Sequence, residues 1–197
     1  MSNILHKTWF NFTEREEIRD SIILGLLGFI FPLFLGKLIG LIFGAESMVT
    51  SNTQLIIGTI INSMLVVSAF NLTGFRRLWG IIMLPSIATV CSGLLFGPFS
   101  MNMVWMMPAI WLGNFAFVYM YKYFFVHREW NYFITGLIAI IVKVFIIFGV
   151  FSILNACGVF PSASVDMLKY SMGAVQGMTG VFGVLLGYLI VTSYKVR

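Results

Sequence analysis

The chain has 197 residues, of which 59% are hydrophobic and 10% charged, with a mean hydropathy of +0.97. Soluble domains carry about 25% charged residues, so this composition excludes one and describes a polytopic membrane protein. The net charge of +5 comes from Lys and Arg at the ends of apolar runs, which excludes the continuous basic patch of a nucleic-acid binder.

In lipid, helices satisfy their backbone within each segment, and runs of about 20 apolar residues span the hydrocarbon core. The sequence therefore predicts an all-α membrane protein, a compact bundle of six transmembrane helices with little room for a soluble domain. Residues 1–20 form a cytoplasmic or interfacial lead-in. They lack the apolar core of a signal peptide, so the first span is expected to direct insertion. Thr13-Glu14-Arg15-Glu16 matches a capping box and predicts a short polar helix over Glu14–Asp20.

The transmembrane domain covers 21–197. Span 1 is expected at about 21–44 and contains Pro32 and Lys37. Its Gly36, Gly40 and Gly44 recur every four residues, the spacing that lets two helix backbones approach closely. Span 2 is expected at about 54–70, with Asn62 and Ser63 near its midpoint.

Spans 3 and 4, about 78–97 and 102–121, form a tight hairpin around Gly97-Pro98-Phe99-Ser100, where Pro98 stops one helix and Ser100 caps the next. Each carries an internal proline, Pro85 and Pro108, expected to free a carbonyl that needs a partner from a neighbour. Ser86, Thr89, Ser92, Asn102 and Asn114 bring polar groups to the same hairpin.

Span 5 is expected at about 132–154 with Lys143 at its centre, then a long loop over 155–170, then span 6 at about 171–193. Gly173, Gly177, Gly180, Gly183 and Gly187 give span 6 a smooth ridge, for packing within the chain or against a partner.

Lys and Arg set the orientation. The N-terminus, the 2–3 and 4–5 loops and the C-terminus carry nine of the twelve, the opposite loops only Lys169, and Lys37 and Lys143 lie inside spans. The positive-inside rule then places both termini in the cytoplasm.

Lys143 lies about ten residues, roughly 15 Å, from either end of its span, too deep to snorkel. It reads either as a cation facing a cavity that binds an anionic group, or as a structural lysine, bonded to carbonyls freed by Pro85 or Pro108 or sitting neutral. Lys37 reads as a second such cation or as a snorkelling lysine. Asp, Glu and His are missing from the interiors of all six spans, which argues against a carboxylate proton relay and leaves a ligand carboxylate or phosphate as counter-ion. Asn62, Ser86, Asn102 and Gln176 offer hydrogen bonds to a substrate or to neighbouring helices. Trp105 suits either stacking on a flat ring or the interfacial belt. Asn114 reads as helix-to-helix glue.

Cys91 and Cys157 are too few for a disulfide framework. The methionines at 101, 103, 106 and 107 fill irregular space, and without Cys or His beside them imply no metal. No cofactor is implied, and HExxH, GxSxG and P-loop motifs are missing. A non-enzymatic role follows, with any ATP-driven uptake relying on another subunit.

This architecture, with Gly58-Thr59-Ile60-Ile61-Asn62-Ser63, Gly74 and Leu84-Pro85-Ser86, resembles the substrate-binding S component of an energy-coupling-factor vitamin importer. The resemblance implies capture of a small vitamin-like solute in a bacterial plasma membrane, with a transmembrane coupling subunit and ATPases as partners. Where that family commonly has Ala-x-x-x-Ala on its first helix, this chain has Gly36, Gly40 and Gly44. An autonomous solute facilitator or channel and an assembly subunit of a membrane complex are the other two classes the sequence admits.

Overall fold

The computed structural model describes residues 14–43, 53–72, 75–92 and 97–193. Gly44, Thr13 with its cap, Gly74 and the terminal Lys195 and Arg197 lie outside these. The described chain is helical throughout, without a strand, and five of its helices are long and apolar enough to cross a membrane, as in an integral membrane protein.

Helix α1 runs unbroken over Glu14–Ile30, so the polar turn and the start of the first span are one helix. A π-helical turn follows at Phe31–Leu35 and leads into α2, Gly36–Phe43. Pro32 explains the widening: it has no N–H to donate and crowds the carbonyl one turn back.

Helix α3 is Thr53–Asn71 and α4 is Trp79–Ser92. As described, α4 is an apolar helix shorter than the other five, and residues 93–96 beyond it are not described.

The second half of the hairpin differs from the sequence reading. A 3-10 segment covers Gly97–Met106, α5 covers Met107–Met120, and a π-helical stretch continues to His127. Pro108 therefore stands in the first turn of α5, where its missing N–H has no intrahelical partner to lose. It is not an internal proline.

Helix α6, Tyr132–Ala156, starts at Asn131, whose side chain accepts from the amides of Phe133 and Ile134. The expected loop over 155–170 contracts to a turn at 157–161, closed by Gly158 at φ 72°. Helix α7 then begins behind Pro161 and spans Ser162–Tyr170, burying Ser164 and Leu168. Through a π turn at Ser171–Val175 it joins α8, Gln176–Ser193. At 1.5 Å per residue the joined helix is roughly 48 Å long, more than the ~30 Å hydrocarbon core. Its polar first turns have room outside the lipid.

The closest pairings are α3 with α8, α5 with α6, and α1 with α4. Gly183 and Gly187 make the first possible. A Cβ on Gly183 would lie 2.3 Å from that of Asn62, and one on Gly187 would lie 2.9 Å from that of Val66. Gly180 faces Ile140 of α6 and Gly173 faces Phe148, whereas a Cβ on Gly177 would meet nothing within 4 Å. The span 6 ridge is thus used within the chain at four of its five glycines. Gly25 and Gly80 do the same for α1 and α4, their backbones meeting where a Cβ on Gly25 would be 3.4 Å from the Gly80 Cα.

Two apolar clusters fill the bundle. One holds Leu65, Phe70, Ile81, Phe117, Tyr121 and Tyr132 among others; the other holds Met103, Met106, Ile147, Phe151 and Met172. The candidate site lies between them.

Candidate functional site

Buried positions on α6 recur at Tyr132, Thr135, Gly136, Ala139, Ile140, Lys143, Ile147 and Phe151, the three-and-four spacing of one helix face. Phe133, Ile134, Leu137, Ile141 and Phe145 are exposed on the other side. Lys143 falls on the inward stripe and is 3% exposed. Its stem passes α5 at Gly113, where a Cβ would meet Lys143 Cγ at 3.4 Å.

Lys143 Nζ donates to Asn62 Oδ1 at 2.5 Å. Asn62 Nδ2 donates to Thr179 Oγ1 at 3.1 Å, and Thr179 Oγ1 donates to the Gln176 carbonyl at 3.2 Å. This chain joins α6, α3 and α8 and fixes the orientation of Asn62, since an ammonium only donates. Lys143 Nζ also stands 5.6 Å from the centre of the Phe117 ring, a cation–π distance. An ammonium has three N–H donors, and among the described residues Asn62 is the only hydrogen-bond partner of this one.

The lysine opens on a cavity of about 90 Å³. Gln54, Ile57, Gly58, Ile61 and Asn62 line it from α3, and Pro85, Ser86 and Thr89 from α4. Met107, Ile110 and Asn114 come from α5, Lys143 from α6, and Pro32, Met103, Met172 and Gln176 complete it. Among these residues there is no Asp, Glu or His.

Pro85 shapes the α4 wall. It leaves the Ile81 carbonyl without its helical donor, and polar side chains bond to the neighbouring carbonyls of this stretch. Ser86 Oγ donates to the Met83 carbonyl at 2.8 Å, and Thr89 Oγ1 to the Pro85 carbonyl at 2.8 Å. Asn114 Nδ2 reaches across from α5 to the Ile82 carbonyl at 3.3 Å. Trp111 Nε1 donates to Ser86 Oγ at 2.6 Å.

Of the residues the sequence singled out, the fold gathers Lys143, Asn62, Ser86 and Gln176 at one cavity. Lys37 is exposed on α2, beside a shallow apolar groove formed with Phe34, Leu38 and Leu41. Asn102 is half-buried outside the cavity, and Trp105 is exposed. Thr89 and Asn114 belong to the polar groups that the sequence gathers on the hairpin, whereas Gln54 and Thr179 joined the site without being foreseen. Asn114 carried a signal, since an amide at membrane depth is costly without partners. Thr179 carried none, because Thr in a Gly-rich span reads as ordinary packing.

No protein family, curated protein or solved structure matches this chain. The site has to be read from its own chemistry.

Beyond the cavity, towards the C-terminal ends of α3 and α5, buried rings close the bundle. Phe117 and Tyr121 lie 5.4 Å apart, Tyr121 and Tyr132 5.4 Å, and Phe70 and Phe125 5.2 Å. Two basic residues, Arg77 and Lys122, mark this end. Arg77 pairs with Glu17, and Lys122 donates to the carbonyls of Ala69 and Leu72 at the end of α3.

Proposed function

We propose that this chain is the membrane-embedded capture subunit for uptake of a small anionic solute, with six spans, both termini cytoplasmic, and energy from partner coupling and ATPase subunits. The observation that carries the proposal is a fully buried lysine facing a cavity with no carboxylate in its wall. A charge at membrane depth is costly unless paired, and the neutral Asn62 amide compensates only part of that cost. An anionic solute supplies the missing charge, and the two remaining N–H donors of Lys143 hold it.

The rings at Phe117, Tyr121 and Tyr132 support capture over free conduction, since they separate the cavity from the basic end. With that end cytoplasmic, the site faces outward in a bacterial plasma membrane. A vitamin-like ring of the kind the family resemblance implies needs a pocket of about 300 Å³ or more, so its capture requires the helices to part. A smaller anion suits the cavity as it stands.

The test is titration of the purified chain in lipid nanodiscs with short carboxylates and inorganic phosphate. One-to-one binding is expected, and Lys143→Leu should abolish it while folding normally, because it removes a costly charge. Undiminished binding by Lys143→Leu would overturn the proposal.

A further inference from the structure

One residue of the cavity wall carries a buried acceptor that no other group satisfies. Asn114 is 3% exposed, lines the cavity, and spends its Nδ2 on the Ile82 carbonyl. A carbonyl only accepts, so the amide nitrogen must face Ile82 and the amide oxygen is left over. That oxygen is buried and has no hydrogen-bond partner. Leaving a buried acceptor unsatisfied is unfavourable, and lining residues of this kind are where a ligand donor is recognised.

We infer that the solute is a short hydroxycarboxylate, whose carboxylate is held by Lys143 and whose hydroxyl donates to Asn114 Oδ1. The inference rests on the anion-capture reading above and narrows it to one substrate class. An amine donor fits less well, because an ammonium placed beside Lys143 would bring two like charges into a poorly solvated cavity. A neutral hydroxyl brings no such repulsion. Size points the same way: a cavity of ~150 Å³ accepts the six carbons of benzene, so one of about 90 Å³ suits a solute of about four or five non-hydrogen atoms. Thr89, Ser86 and Gln176, also in the wall, carry oxygens that can accept as well; Asn114 Oδ1 differs from them in being buried without any hydrogen-bond partner.

Glycolate and acetate differ by one hydroxyl and make the comparison. The full chain in nanodiscs is titrated with each, followed by heat of binding. Glycolate should bind about tenfold more tightly, the value of one buried hydrogen bond. In Asn114→Leu, a near-isosteric change that removes the acceptor, the glycolate-to-acetate ratio should collapse to about one. Equal affinities in the wild-type chain would overturn the hydroxyl assignment while leaving anion capture standing, and this arm needs no variant to fold. A preference for glycolate that survives Asn114→Leu would overturn the role of Asn114. If neither carboxylate binds, the hydroxycarboxylate assignment fails, and if inorganic phosphate does not bind either, anion capture fails with it.

Discussion

Asn62 stands between a donor and a hydroxyl, and its amide meets part of the cost of holding Lys143 inside the bundle. A carboxylate at the same place would be a different device. In Asn62→Asp the new oxygen atoms lie where Oδ1 now accepts from Lys143 at 2.5 Å, and the Thr179 hydroxyl is free to turn and donate to them. The lysine would then carry its own anion. Removing the unpaired charge should leave the thermal midpoint unchanged or higher. Acetate affinity should fall at least tenfold, because the solute must now displace an internal competitor. Midpoint and titration are measured on the same sample. Acetate binding at the wild-type level would mean that the anion does not sit at Lys143.

The helices meet through missing side chains. Against Gly183 lie not only the Asn62 Cβ but also the Ser63 amide nitrogen, 3.1 Å from the position of an added Cβ. Backbone cannot rotate away as a side-chain tip can, so Gly183→Ala must push α8 from α3. This is overpacking, and a cost of about 1–3 kcal/mol is expected. Gly177→Ala, six residues away on the same helix, meets open space and removes a flexible residue; its effect should be within about 0.5 kcal/mol of zero. Unfolding in a graded detergent mixture compares the two. Equal effects would show that the α3–α8 contact is looser than described. Since Asn62 is the residue struck, Gly183→Ala should also weaken anion binding, linking packing to the site.

Across the molecule, most of the basic residues are gathered at one end and the cavity lies towards the other, where α7 carries Asp166 and Lys169. Glu17 and Arg77 tie the start of α1 to the turn before α4, and Ser21 Oγ donates to the Arg77 carbonyl at 2.5 Å. Lys122 satisfies carbonyls at the C-terminus of α3, where a cation also complements the helix dipole. Gln54 and Gln176, at the opposite ends of α3 and α8, mark the cavity side. If the basic end is cytoplasmic, a phosphatase fused after Arg197 should be inactive, and one inserted in the turn at 157–161 should be active outside. The reverse pattern would turn the site towards the cytoplasm and rule out capture from outside.

Composition and periodic charge by themselves determined that this is a helical membrane chain, which end is basic, and that Lys143 is the charge needing an explanation. Those features are local: hydropathy is summed over a window, and a lysine ten residues from both ends of a span cannot reach water. The sequence could not place Lys143 against Asn62, 81 residues apart, because α6 is apolar on all sides and its inward face carries no hydrophobic contrast to read. Nor could it separate the buried Lys143 from the exposed Lys37, since two lysines in apolar helices look alike until neighbours are packed on them. The prolines were equally ambiguous. Pro85 lies inside α4 and Pro108 in the first turn of α5, and only the 3-10 segment preceding α5 decides the second. The helix over Ser162–Tyr170 was hidden by its polar composition, because it forms by docking Leu168 and Ser164 rather than by its own propensity. Tertiary packing decided the site, through close approaches at Gly183, which brings α8 against α3, and at Gly113, which brings α5 against α6, so that one amide holds a lysine.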